Sequence, residues 1–184
     1  ANTGKRDLLL DVYLPEYQTK PPLAIWLHGG IWRAGSKHNP QVLDIVEQGF
    51  ALASIDFRTS FPAQMHDIKA AIRFLRANAQ LYGYNAESIA IWGYSSGAHL
   101  ASLTGTTNGN QALEGSLGSN LDASSDVQAI IAYSGPSNLH TILEQSTAHG
   151  VEVRAPGMTD LLGKPVEDPS IQAVVTLASP ALQV

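Results

Sequence analysis

A serine with glycine two residues away on each side, Gly93-Tyr94-Ser95-Ser96-Gly97, closes the apolar run Ile89-Ala90-Ile91-Trp92. Small residues follow it, with Leu100 and Leu103 at helical spacing. A G-x-S-x-G pattern between a buried strand and a helix puts the serine on a sharp turn. Gly93 and Gly97 have a steric reason to be there, because a turn this tight brings backbone segments so close that a β-carbon would clash. The turn exposes the Ser95 hydroxyl and points the backbone N–H of Ser96 at whatever the serine attacks. The helix start adds a partial positive charge where an oxyanion would develop. Acyl transfer needs this arrangement.

A second glycine-rich stretch, His28-Gly29-Gly30-Ile31-Trp32, lies 67 positions before Ser95. It follows Leu23-Ala24-Ile25-Trp26-Leu27, which is apolar throughout, as a strand covered on both faces must be. Both motifs therefore fall at the C-terminal ends of predicted parallel strands, where open α/β sheets place their sites.

The rest of the chain supplies the elements that hold these two loops. Asp7 to Leu14 reads as a strand closed by Pro15, and Pro40 to Gln48 as a helix with Val42, Ile45 and Val46 on one face and Gly49 at its C-cap. Phe50 to Asp56 is a strand. Pro62 opens a longer helix in which Met65, Ile68, Ile72, Leu75 and Ala79 recur at three- and four-residue steps, ending near Gly83. Gly105 to Ser125 has no period and reads as a surface excursion that carries no chemistry. Val127 to Ser134 is a further buried strand, 137–155 shows no assignable pattern, and Pro169 starts a last helix through Leu177 that stops before Pro180. Strands alternating with helices imply one α/β domain over 1–184, with a mostly parallel sheet and helices on both faces.

Composition narrows the function. The 184 residues are 44% hydrophobic and 15% charged, with a formal net charge of −5 and no Lys or Arg run, so neither nucleic acid nor an anionic membrane surface is an expected partner. The absence of cysteine removes a thiol nucleophile and leaves the compartment open. Apolar stretches are strand-length and Ala1 follows no leader, so no membrane span is expected and the protein is read as soluble, cytoplasmic or exported after leader removal. No H-E-x-x-H spacing occurs, and neither a metal nor another cofactor is expected.

The two motifs together resemble the α/β-hydrolase fold esterases that carry an HGG oxyanion loop, a group including lipase-like carboxylesterases, feruloyl and acetyl esterases, and arylformamidases. The resemblance covers nearly the whole chain. Leu10-Asp11-Val12-Tyr13-Leu14-Pro15, Ile55-Asp56-Phe57-Arg58, His66-Asp67-Ile68-Lys69-Ala70-Ala71-Ile72-Arg73-Phe74-Leu75 and Gly93 to Leu100 each look like a family segment. The resemblance implies Ser95 as the nucleophile and the backbone N–H groups of Gly30, Ile31 and Ser96 as the oxyanion hole. His28, Gly29, Trp32, Gly93, Tyr94 and Gly97 complete the motif and substrate pocket.

The family's acid and histidine follow a Ser-Pro segment, which Ala178-Ser179-Pro180 resembles, and the sequence given ends at Val184. The fold is therefore expected to lack its last strands and helix. Among Asp122, Asp126, Asp160, Asp168, His38, His66, His99, His140 and His149, none has the setting of the missing pair; Asp126 precedes a strand, and His99 is expected to pack against its own helix. His28 is read as shaping its loop, Asp56 as anchoring it, and Arg58 with Asp67 as a structural ion pair. Trp32 is either a wall of the acyl pocket or core. The expected function is hydrolysis of short or aromatic carboxylic esters through an acyl-enzyme on Ser95, the substrate being a small-molecule ester. The alternatives are an arylformamidase acting on an N-formyl amide and a non-catalytic remnant or binding protein. Without a following strand, 127–134 is an apolar edge through which homo-oligomers are expected.

Overall fold

The computed structural model describes residues 7–38 and 40–184; Ala1, on which the leader reading rests, lies outside them. Five strands form one sheet: β1 (Leu10–Tyr13), β2 (Pro22–Leu27), β3 (Ala51–Ile55), β4 (Asn85–Tyr94) and β5 (Ala129–Tyr133). Their order is β1-β3-β2-β4-β5, with β1 antiparallel to β3 and all other pairs parallel. This is the mostly parallel α/β-hydrolase sheet expected from the sequence. Both motif-bearing strands, β2 and β4, are central and adjacent, so their C-terminal loops must meet.

Alternation along the strands sorts the core. Leu23, Ile25 and Leu27 of β2 face the same cluster as Ala51, Ala53 and Ile55 of β3, while Ala24, Trp26 and Leu52 face the opposite side. On the first side lie α1 (Ala63–Ala77) and α3 (Ser96–Thr106), whose Met65, Ile68, Ile72, Leu75, Leu100 and Leu103 are fully buried there. The predicted helix over 40–48 shrinks to a single 3-10 turn, Leu43–Val46, covering the second side with Val42, Ile45 and Val46. There Trp26 and Trp92 meet edge to face at 6.1 Å.

Other boundaries move for local reasons. The helix expected to run from Pro62 to Gly83 breaks at Asn78, whose side-chain amide donates to the Phe74 carbonyl at 2.8 Å; a short α2 (Ala79–Tyr82) follows and ends at left-handed Gly83. The unassigned stretch contains the start of α5 (Ala148–Leu162), capped by the Thr147 hydroxyl, and Pro169 opens a 3-10 turn leading into α6 (Gln172–Leu177). The strand read over 127–134 keeps Val127 buried but is exposed along all of β5, because among the described residues β5 is the last strand of the sheet and pairs with β4 alone, the apolar edge expected where no further strand follows. Among the described residues no helix is long and apolar enough to cross a membrane.

The excursion after α3 is more than surface. It forms a one-turn α4 (Gln111–Glu114) that buries Leu113 and carries Glu114 to two cations of α1, Lys69 Nζ and Arg73 Nη1, each at 3.0 Å. Lys69 is fully buried and also donates to the Thr107 carbonyl at 2.9 Å. Burial pushes the Glu114 carboxyl up, but hydrogen bonds from Ser125 and Lys69 and the charges of Lys69 and Arg73 outweigh it and hold the group below its ordinary value. Glu114→Gln leaves a buried ammonium without its counter-charge, an expected loss of about 3 kcal/mol in urea unfolding. A change of only a few tenths of a kcal/mol would show that the cluster is not needed.

Candidate active site

Ser95 stands between the end of β4 and the first residue of α3, with φ 54° and ψ −121°. A positive φ is rare for a residue with a β-carbon and persists where its surroundings impose it. Here the Ser95 N–H donates to the Tyr133 carbonyl of β5 at 2.8 Å, and the Ser95 carbonyl accepts from His99 N–H at 3.1 Å to start the helix. The flanking glycines are obligatory. A β-carbon at Gly93 would overlap the Gly97 carbonyl, and one at Gly97 would overlap the Leu27 carbonyl at the end of β2.

The facing loop comes as close. A β-carbon on Gly29 would lie 3.3 Å from that of Ser95. Gly30 has φ +131°, where a β-carbon would run into the Ala34 carbonyl, and Ile31 and Trp32 follow at φ +56° each. Their turn is closed by Arg33 and Ala34 N–H groups donating to the Gly30 carbonyl at 3.0 and 3.1 Å. A β-branched residue in this region is an outlier, so something must hold it. Three contacts do so. Trp32 is 5% exposed in a cluster with Leu139, Met158, Leu161 and Leu162. Gly157 of α5 lies so close that a β-carbon there would be 2.8 Å from the Ile31 carbonyl oxygen, and Arg33 pairs with Asp160 at 2.7 Å. The base of the loop is fixed as well: Asp56 accepts from Lys37 N–H at 2.8 Å, Lys37 Nζ meets Asp11 at 2.6 Å, and the Ser54 hydroxyl donates to the Lys37 carbonyl.

The nine other motif residues thus gather around Ser95. His28 donates from Nδ1 to the Gly29 carbonyl at 2.9 Å and stacks on Phe57, which fits the loop-shaping reading. Arg58 grips the fully buried Asp67 with bonds of 2.6–3.1 Å, its hydrogen bond to the Asp67 carboxylate raising the guanidinium's pKa, and both stay away from the clefts beside Ser95. Two clefts open beside Ser95. One of 440 Å³ is polar, with His28, Ser36, His38, Gln41 and Tyr94 on its walls. The other, 280 Å³, lies between Ile31, Trp32 and Ser134 on one side and Ile142, His149, Val153 and Arg154 on the other. Trp32 is therefore both core and pocket wall. A larger cleft of 680 Å³ between Leu14–Gln18 and Val46–Gly49 holds none of these groups.

The α5 wall and Ser134, which has φ 56° at the end of β5, were not legible from the sequence. Pro156 inside α5, with Gly150 and Gly157, breaks the apolar period there. Thr147 before the helix and Met158, Leu161 and Leu162 at helical steps are the signals that remain.

The candidate acids and bases do not converge on Ser95. Asp160 is paired with Arg33, Asp168 caps the turn at Ser170, and the Asp126 carbonyl accepts from Arg76 at the N-terminal side of β5. His140 meets the Thr176 hydroxyl at 3.0 Å, and His38 and His149 are exposed. His149 borders the smaller cleft with its side chain 86% exposed, beside Glu152 at 3.7 Å. Among the described residues no hydrogen bond joins the Ser95 hydroxyl to a histidine.

His99, one turn along α3, is fully buried between Trp32 and Ala178. Its Nδ1 accepts from the Trp32 indole N–H at 3.1 Å and its Nε2 lies 2.7 Å from the Ala178 carbonyl oxygen. An indole only donates and a carbonyl only accepts, so the ring is the neutral Nε2–H tautomer. Burial lowers its pKa from 6.5 to about 4, the bond to Ala178 only partly opposing this. The unfolded chain binds a proton near 6.5 that the folded protein refuses until about 4, so this site destabilises the fold as pH falls through that window, by up to about 1.4 kcal/mol per pH unit. His99→Asn removes the linkage, so the stability advantage of the unchanged protein over this variant should shrink from pH 6.5 towards 4 in urea unfolding. A constant difference would mean that His99 is not buried neutral.

The comparisons with known proteins point to esterases. The family described as BD-FAE matches residues 10–184. Esterase LipQ of Mycobacterium tuberculosis is 32% identical over 164 residues, 80% of this chain and 38% of LipQ. Among solved structures, a bifunctional GH43-CE protein of Bacteroides eggerthii superposes with a TM-score of 0.84 at 35% identity, covering 95% of this chain and 24% of that one. A truncated carbohydrate esterase from gut microbiota gives 0.82 at 32% identity, covering 95% and 66%. The chain thus spans about a third of the curated relatives' length, such as 38% of LipQ. With its sheet order, its two adjacent strand-end loops and a match that runs from β1 to the last residue, the chain belongs to the BD-FAE family of α/β-hydrolase fold esterases.

Proposed function

We propose that residues 7–184 form the nucleophile and oxyanion portion of a serine carboxylic ester hydrolase. The observation that carries this reading is the approach of the Gly29–Trp32 turn to the strained Ser95 elbow, with no β-carbon between them. An acyl carbonyl lying there would have the Ser95 hydroxyl on one side and the N–H groups of Gly30, Ile31 and Ser96 beside its oxygen. Attack by Ser95 Oγ forms a tetrahedral intermediate whose negative oxygen those amides stabilise; expulsion of the alcohol leaves an acyl-Ser95, which water hydrolyses. Serine needs a base for the first step and no histidine here reaches it, so in this reading the base and its carboxylate come from outside these residues.

The 280 Å³ cleft suits a short acyl chain or one aromatic ring. A solved neighbour named a carbohydrate esterase favours an ester borne on a carbohydrate, and relatives named esterases, LipQ among them, favour this reading over an N-formyl amide substrate.

With its base absent, a serine hydrolase loses about 10⁶ in kcat. The purified chain should therefore turn over p-nitrophenyl acetate far below the roughly 10 s⁻¹ typical of enzymes, yet acquire an acetyl group on Ser95 that mass spectrometry detects. Ser95→Ala should remove that adduct, and Gly30→Val should slow its formation by about 10²–10³ through loss of one oxyanion donor. Acetylation elsewhere, or at equal rate in Gly30→Val, would contradict the assignment.

A further inference from the structure

We infer that His99 is a positioning residue for the oxyanion loop, holding the Ile31 and Trp32 backbone against the nucleophile through the Trp32 indole. This rests on the serine-esterase reading and extends it to a residue that touches no substrate.

The loop at Gly30–Trp32 sits in a backbone region that Ile and Trp rarely adopt, so its shape is imposed from outside. Of the groups that impose it, Gly157 and Asp160 belong to α5 and act on Ile31 and Arg33. His99, by contrast, ties the Trp32 side chain by a hydrogen bond to the helix that follows Ser95. Its N–H donates to the Ser95 carbonyl at 3.1 Å, and its ring accepts the Trp32 indole N–H at 3.1 Å, the rings meeting edge to face at 5.4 Å. One residue therefore touches the nucleophile's backbone and the oxyanion loop's side chain. The loop's amide positions are thereby set relative to Ser95 through a single rigid ring.

The ring is itself fixed from behind. Its Nε2–H donates to the Ala178 carbonyl at 2.7 Å, and next to it Ser179 is fully buried, its hydroxyl accepting from Leu139 N–H at 3.0 Å and donating to the Val175 carbonyl at 2.8 Å. With both nitrogens engaged the imidazole can neither flip nor rotate without leaving a buried donor or acceptor unpaired. A general base needs a free nitrogen facing the nucleophile, and His99 has none. An apolar residue of the same bulk would fill the space yet leave the Trp32 N–H and Ala178 carbonyl unsatisfied.

Three variants of the 184-residue chain separate positioning from packing. His99→Phe keeps the bulk and loses both bonds, His99→Asn keeps an acceptor where Nδ1 stood, and Trp32→Phe removes the donor with His99 in place. The readouts are the rate of Ser95 acetylation by p-nitrophenyl acetate and the ¹H–¹⁵N signals of the Gly30, Ile31 and Trp32 amides and the Trp32 indole. Misplacing the loop should slow acetylation by about 10²-fold in His99→Phe and Trp32→Phe, by a fall in the maximal rate and not in apparent affinity, with the three amide signals displaced. His99→Asn should restore most of the rate and return the signals. Equal rates and unmoved amides in folded His99→Phe or Trp32→Phe, or no recovery in His99→Asn, would overturn the inference. If Ser95 of the unchanged protein never acetylates, the esterase reading fails by itself, and the amide signals still decide whether His99 positions the loop.

Discussion

Two backbone segments lie closer together here than a β-carbon allows, and the rest of the structure is arranged to keep them so. Gly93 meets Gly97, Gly97 meets the end of β2, and Gly29 meets Tyr94 and Ser95. This contact sets the Ser95 turn beside the left-handed Gly30–Trp32 turn at the C-terminal edge of the sheet. It requires β2 and β4 to be neighbours and parallel, which their register provides from Leu23↔Ile89 to Leu27↔Gly93.

Holding such a site costs conformational energy, of order 1–3 kcal/mol for each residue forced to positive φ. Ser95, Ile31, Trp32 and Ser134 are all of this kind, and all border the 280 Å³ cleft. What offsets the strain is the small apolar cluster around Trp32, built from α5, α6 and the segment near Leu139, together with the bonds of His99 and Arg33. The main core between the sheet, α1 and α3 fixes the strands; this second cluster fixes the loop. A substitution in α5 at Gly157 or Met158 would therefore act on the Ile31–Trp32 loop from behind.

Much of this was legible in the sequence because it is local. The G-x-S-x-G turn and the HGG loop announce themselves by glycine spacing, and α1 by the period of Met65, Ile68, Ile72 and Leu75, since steric need and burial on one face leave direct marks. The parts that were missed depend on tertiary partners. α5 is interrupted by Pro156 and glycines whose purpose is to approach Ile31 and seat Arg154. The helix predicted over 40–48 has an apolar stripe too narrow for a full helix and closes as a 3-10 turn. Lys69 and Arg73 lie on the buried side of α1 because a glutamate 41 residues after Arg73 comes back to neutralise them, and no local pattern reports so distant a partner.

The account depends on the Gly30, Ile31 and Ser96 amides converging on the oxygen of whatever Ser95 attacks. The most direct test is a crystal structure of the chain with a phosphonate bonded to Ser95, a tetrahedral mimic of the intermediate. The phosphoryl oxygen should lie about 2.7–3.1 Å from those amide nitrogens, with the Trp32 indole still donating to His99. An adduct whose oxygen points to solvent, or to the Arg154 side of the cleft with the three amides unengaged, would contradict it.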